Sequence, residues 1–121
     1  MTTILVVGYG LIGRERVSAL DDLHREGLPI DRILVVDPVV FRGASPALPA
    51  IATPVPDLKA ALAQHPSLVI VATPHDTAVS VLREILPTAK RVLLEKPLGR
   101  SLDEARSIIS LLRSPDQLLM G

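Results

Sequence analysis

Three glycines, one aspartate and one lysine are the residues of this chain whose types and spacing point to chemistry. Gly8, Gly10 and Gly13 spell G-Y-G-L-I-G, directly after the apolar run Ile4 to Val7 and directly before a segment of helical period. In such a turn the first glycine permits the tight bend, the second leaves the backbone bare to a pyrophosphate, and the third lets helix and strand pack closely. The unpaired N–H groups and positive dipole end of the helix start then hold the anion. The ligand class is a dinucleotide, and its expected contacts are Gly8, Tyr9, Gly10, Leu11, Ile12 and Gly13.

Asp37 closes a second apolar run, Ile33 to Val36. It lies about 24 residues beyond Gly13, near the distance at which an acid meets an adenosine ribose. Its carboxylate can accept from both ribose hydroxyls and would repel a 2′-phosphate, so NAD is expected over NADP. Arg42 is close enough in sequence to neutralise such a phosphate, which leaves NADP open. The competing reading makes Asp37 the cap of a turn before Pro38.

Two later runs complete the set: Val71-Ala72-Thr73-Pro74 at the end of a third apolar run, and Glu95-Lys96-Pro97-Leu98 after a fourth. A lysine at the carboxyl end of a parallel strand, beside a proline that fixes the turn, points into the crevice where open α/β sheets bind ligands. There it can polarise a hydroxyl or stabilise an alkoxide. The plainer reading is a surface lysine paired with Glu95. Behind the glycine loop, and in this order, the two runs resemble the glucose-fructose oxidoreductase / inositol dehydrogenase (Gfo/Idh/MocA) family over essentially the whole chain.

That resemblance implies an NAD(P)-dependent oxidoreductase that transfers hydride on a sugar, polyol or related compound. It implies a Rossmann domain over residues 1–121, followed by an α/β domain with an open antiparallel sheet. Thr73 and Pro74 fall where the family lines the nicotinamide side, with His75 next to them. Lys96 falls on the lysine that contacts cofactor ribose and substrate, which makes it the expected catalytic residue; Glu95 serves by ribose hydrogen bonding or by positioning Lys96. Two positions depart from the family pattern: His75 replaces a small polar residue, and Ala78 stands where a histidine is common. The family's proton-transfer aspartate and histidine would lie beyond Gly121, so the chain is either a cofactor-binding fragment of a longer enzyme, which its end inside a predicted strand favours, or a small stand-alone protein with the nucleotide fold, and it is expected to be inactive alone. A non-catalytic nucleotide-sensing module would share the glycine loop but has no use for Lys96. A methyltransferase using S-adenosylmethionine gives no account of Glu95-Lys96-Pro97.

The elements that must position these residues follow from periodicity. Ile4 to Val7, Ile33 to Val36, Leu68 to Ala72 and Val92 to Leu94 are short, uniformly apolar runs, which predicts parallel strands covered on both faces. Ala50 to Val55 predicts a fifth, marginal strand because of its prolines, and Gln117 to Gly121 the start of another. Between them, Val17, Leu20 and Leu23 predict a helix that Gly27 ends. Asp57 is expected to cap a second helix reaching His65, and Val79, Leu82 and Leu86 line a third that Pro87 stops. Ser101 with Glu104 forms a capping-box signature for the last helix, whose single apolar face would be Leu102, Ala105, Ile108, Ile109 and Leu112. Pro38 to Pro49 reads as a loop. The alternation of strand and helix predicts an α/β fold, a doubly wound parallel sheet of Rossmann type.

Composition bounds the rest. Apolar residues make up 48% of the 121 positions but aromatics only two, Tyr9 and Phe41, so the core must be aliphatic. Thirteen basic and thirteen acidic residues cancel without a basic cluster, which argues against a nucleic-acid partner. The lack of cysteine excludes disulfides and thiolate metal sites, no histidine pair has metal-ligand spacing, and no metal site is expected. His24 and His65 sit near helix ends and need no function. No run approaches a membrane span or a signal-peptide core, so a soluble cytoplasmic protein is expected, with a dinucleotide and a small-molecule substrate as partners and a homo-oligomer left open.

Overall fold

In the computed structural model, which describes residues 2–41, 43, 48–95 and 102–120, the apolar runs form six parallel strands. They are β1 (Thr3–Val7), β2 (Arg32–Val36), β3 (Ala52–Val55), β4 (Leu68–Val71), β5 (Val92–Leu94) and β6 (Leu118–Met120), ordered β3-β2-β1-β4-β5-β6. Helices α1 (Leu11–Arg25), α2 (Pro38–Phe41), α3 (Leu58–Leu62), α4 (His75–Ile85) and α5 (Leu102–Leu111) connect them. The expected doubly wound parallel sheet is present. β3 carries Pro54 because it is an edge strand, where a missing donor costs no ladder bond on the open side.

The period-2 alternation of the strands sorts their side chains into two cores. Leu5, Val7, Leu34, Val69 and Val71 pack on one face with Ala61 of α3, Leu82 and Ile85 of α4 and Ile108 of α5. Ile4, Val6, Ile33, Val35 and Ile70 pack on the other with Val17 of α1 and Val40 of α2. All five residues of β1 are buried, as a central strand covered on both faces requires. Burial of each such aliphatic side chain contributes about 1.5–3 kcal/mol.

Helix α1 ends in a Schellman motif. Gly27 takes a φ of +103° and donates its N–H to His24 O, while Leu28 donates to Leu23 O. At the amino-terminal edge of the sheet, the buried Gln117 donates from Nε2 to the carbonyls of Leu86 and Ala89, and its Oε1 accepts from Arg113 N–H. The Arg113 guanidinium reaches the same two carbonyls. Together they supply donors to two carbonyls at and just beyond the C-cap of α4.

Four expectations are corrected. The segment after Pro38 opens with a helical turn, α2, because Asp37 caps it and proline is well placed at the first helical position. Helix α3 stops at Leu62, and the chain tightens through i→i−3 bonds from Gln64 to Ala61 and His65 to Leu62 before His65 turns left-handed at φ +54°. The apolar positions of α5 do not form one buried face: Ile108 is buried, but Leu102 is 67% and Ile109 54% exposed. Leu23 of α1 is exposed as well. Of the expected capping box, Ser101 lies outside the described residues, and so does the side chain of Glu104.

Candidate functional site

The register of the sheet brings the chemistry-bearing residues to one edge. Val36 pairs with Val7, Val7 with Val71, and Val71 with Leu94, so four strands end in one row. The residues that follow, Asp37, Gly8, Ala72 and Glu95, therefore leave the sheet side by side. Strand order reverses between β1 and β4, and at such a switch point the diverging connections open a crevice. A cleft of about 850 Å³ lies there, walled by Gly8 to Ile12, Val36, Asp37, Ala72 to Pro74, Thr77, Val81 and Glu95. Its size suits a small-molecule or cofactor ligand.

The three glycines meet different surroundings. Gly8 has a φ of +96°, and a Cβ there would lie 2.9 Å from Ala72 O, so the turn out of β1 passes against the end of β4. A Cβ on Gly13 would stand 2.0 Å from Gly8 O, which is how α1 comes to pack directly on the turn. At Gly10 a Cβ would meet nothing within 4 Å. Its backbone borders open space, as a position that must admit a ligand to contact requires.

Gly10 is the N-cap of α1 and has no side chain to cap it. The first helical bond recorded runs from Arg14 N to Gly10 O, so the amides of Leu11, Ile12 and Gly13 precede the ladder. Leu11 is 70% exposed beside them. This end of α1 offers donors and a positive partial charge to an anion.

Asp37 does two things at once. Its Oδ2 accepts from the Tyr9 amide at 2.8 Å, which ties the glycine turn to the end of β2. Its Oδ1 accepts from Val40 N–H at 3.3 Å, which caps α2. The capping that competed with ligand binding in the sequence is thus present, with the carboxylate still in the wall of the cleft.

The hydroxyl of Thr73, also in the wall, is buried and has no hydrogen-bond partner among the described residues. An orphaned hydroxyl facing a cleft is a donor and acceptor reserved for something else, because burying it unpaired costs about 1–3 kcal/mol. Pro74 is the N-cap of α4, and Thr77 donates its hydroxyl to Pro74 O. His75 begins α4, and its side chain lies outside what the structure describes.

Glu95 is held by Arg16. The guanidinium forks onto both carboxylate oxygens, Nε to Oε2 at 2.9 Å and Nη2 to Oε1 at 2.8 Å. The hydrogen bond to Glu95 raises the pKa of Arg16 beyond its usual value. Among the described residues, both oxygens of this carboxylate are held from α1. Lys96 itself, with Arg42, lies outside the described residues. Arg16 was missed, as were Thr77 and Val81, because nothing local joins positions 79 apart; the one usable signal was that Arg16 sits one turn after Gly13, on the side of α1 facing the sheet.

The arrangement fits a dinucleotide on three counts: uncapped amides beside an open Gly10, a carboxylate at the end of β2, and an unpaired hydroxyl after β4. Among the described residues no group of three His, Cys, Asp or Glu could hold a metal ion, and no helix is long and apolar enough to cross a membrane.

Comparison with known proteins agrees with this geometry. GenD2 from gentamicin A biosynthesis, solved in complex with NAD, superposes with a TM-score of 0.71 at 25% identity over 99% of this chain and 34% of its own. A protein assigned as a myo-inositol dehydrogenase from Sinorhizobium meliloti gives a TM-score of 0.77 at 20% identity, over 100% of this chain and 36% of its own. The WlbA dehydrogenase from Bordetella pertussis, solved with NADH and UDP-GlcNAcA, gives 0.74 at 20% identity over 99% and 34%. The last two likenesses concern the fold. The chain spans about a third of the length of these solved proteins. No curated protein sequence matches it. The model of the Gfo/Idh/MocA family, described as an oxidoreductase family with an NAD-binding Rossmann fold, matches residues 2–120. With the switch-point cleft and its glycine turn in place, the chain belongs to this family, as an NAD-binding Rossmann domain of oxidoreductases.

Proposed function

We propose that the cleft at the β1/β4 switch point is the NAD site and that it serves hydride transfer on a sugar, polyol or related compound in the whole protein. In this reading the amides after Gly10 hold the pyrophosphate, with Gly8, Tyr9, Leu11, Ile12 and Gly13 shaping the turn. Asp37 takes the adenosine ribose hydroxyls, which favours NAD over NADP. Thr73, Pro74 and His75 line the nicotinamide side, and the family resemblance gives Glu95 and Lys96 to the cofactor ribose and the substrate. When bound, NAD supplies the hydride acceptor.

One observation carries the reading: the uncapped start of α1 opens at Gly10 onto a cleft where a side chain would meet nothing. The substrate class rests on the family resemblance of the Thr73-Pro74 and Glu95-Lys96-Pro97 runs. Oxidation of a carbinol also needs a base for the hydroxyl proton. Asp37 and Glu95 both hold other groups, so neither is assigned that part, and Lys96 is assigned the polarisation of the substrate hydroxyl. The base is placed outside the described residues.

Titration of NADH against the chain and its Gly10→Val variant tests the site. The variant backbone is unstrained at φ −75°, so folding is spared while the added side chain fills the space of the phosphates. Binding by the parent and its loss in the variant is expected. Equal affinity for both would refute the assignment.

A further inference from the structure

The wall of the cleft contains a carboxylate where an anionic ligand is to be admitted. Glu95 lines the same cleft as the uncapped start of α1, and its side chain is only 18% exposed. A carboxylate so placed repels a pyrophosphate through a medium that screens less than water. Arg16 prevents this: both carboxylate oxygens are taken by its fork, at 2.8 and 2.9 Å. Arg16 is not among the residues that wall the cleft and reaches Glu95 from α1.

We propose that Arg16 is the residue that lets this cleft accept an anionic dinucleotide, by neutralising the carboxylate of Glu95 in its wall. The inference rests on the cleft being the NAD site. It separates two roles that an ion pair between α1 and the end of β5 can have. As a mechanical brace, the pair matters because it exists; as a mask, it matters because of the charge left when it is broken. A surface pair contributes little to stability in either case, whereas a bidentate, half-buried one changes the charge of the site on which it borders.

The two roles predict opposite outcomes for one double variant. In NADH titrations at low ionic strength, Arg16→Met keeps the apolar stem and should weaken binding by about tenfold, an order expected of one uncompensated charge near a bound anion. Added salt should shrink that gap. Arg16→Met combined with Glu95→Gln has no ion pair and no stray charge at position 95, and should bind NADH at least about threefold more tightly than Arg16→Met, without its salt dependence. Arg16→Lys keeps the charge without the fork and should stay within about threefold of the parent. The inference is overturned if Arg16→Met binds NADH as the parent does, or if the double variant stays as weak as Arg16→Met. Should Arg16→Met not fold, Arg16→Lys decides: a large loss there shows that fork geometry matters, and the mask is refuted. A parent chain that binds no NADH overturns the cleft assignment itself, and is read from the parent alone.

Discussion

Replacing Gly13 by alanine should destabilise the fold although alanine is the better helix former. The added Cβ would stand 2.0 Å from Gly8 O and 2.8 Å from Gly8 C. Relief to an ordinary carbon–oxygen contact requires a movement of about 1.3 Å. The turn cannot supply it, because Gly8 N–H is bonded to Val36 O and the other side of Gly8 is pressed against Ala72. Helix α1 must therefore move off the sheet, at the about 1–3 kcal/mol typical of overpacking, with the upper end appropriate to a clash against backbone. Helix propensity returns about 1 kcal/mol. The net loss is roughly 2 kcal/mol, which in urea denaturation lowers the midpoint by about 1 M for a chain of this size. Gly10→Ala is the internal control: it meets nothing within 4 Å and should leave the midpoint where it was. A Gly13→Ala chain as stable as its parent would show that α1 does not rest on the glycine turn as described.

Asp37→Ser should narrow the preference for NADH over NADPH by about tenfold or more, since the repelling charge is removed; titration with both cofactors reads it, and an unchanged ratio refutes the role of Asp37 in cofactor choice. Gln117→Ala should cost about 1–3 kcal/mol in urea denaturation, because the carbonyls of Leu86 and Ala89 lose a buried donor and Arg113 N–H loses its acceptor. His65→Gly should raise stability by about 0.5–1 kcal/mol, as the left-handed φ of +54° strains a residue with a Cβ and glycine adopts it freely. A loss of stability there would mean that the His65 side chain has a packing role.

Features that depend on neighbours in sequence are legible in the sequence alone. The strands at Ile4 to Val7, Ile33 to Val36, Leu68 to Ala72 and Val92 to Leu94 declare themselves by apolar runs, and β6 was visible in Gln117 to Gly121. The glycine turn was legible for the same reason: its three glycines act through the local approach of a strand end and a helix start. Caps at Asp57 and Gly27 belong to this class as well. Less could be read where two local rules compete. Pro38 reads as the start of a loop, although a proline after a capping aspartate begins a helical turn equally well.

The sequence by itself determined the α/β alternation, the position of the glycine turn and the placement of Asp37, Thr73 and Glu95 at strand ends, because backbone propensity and periodicity are short-range. The tertiary structure alone decided what those residues touch. Arg16 meets Glu95 across 79 residues, Asp37 reaches the amide of Tyr9 across 28, and Gln117 reaches the carbonyl of Leu86 across 31. It also decided that α5 buries Ile108 and leaves Ile109 in the open. A period of 3.6 says which residues share a helix face, while the packing of the whole sheet fixes how far the helix is rotated and therefore which of them are covered. Likewise, strand order and register set the row Val36, Val7, Val71 and Leu94, and that row gathers four distant sequence segments into one cleft.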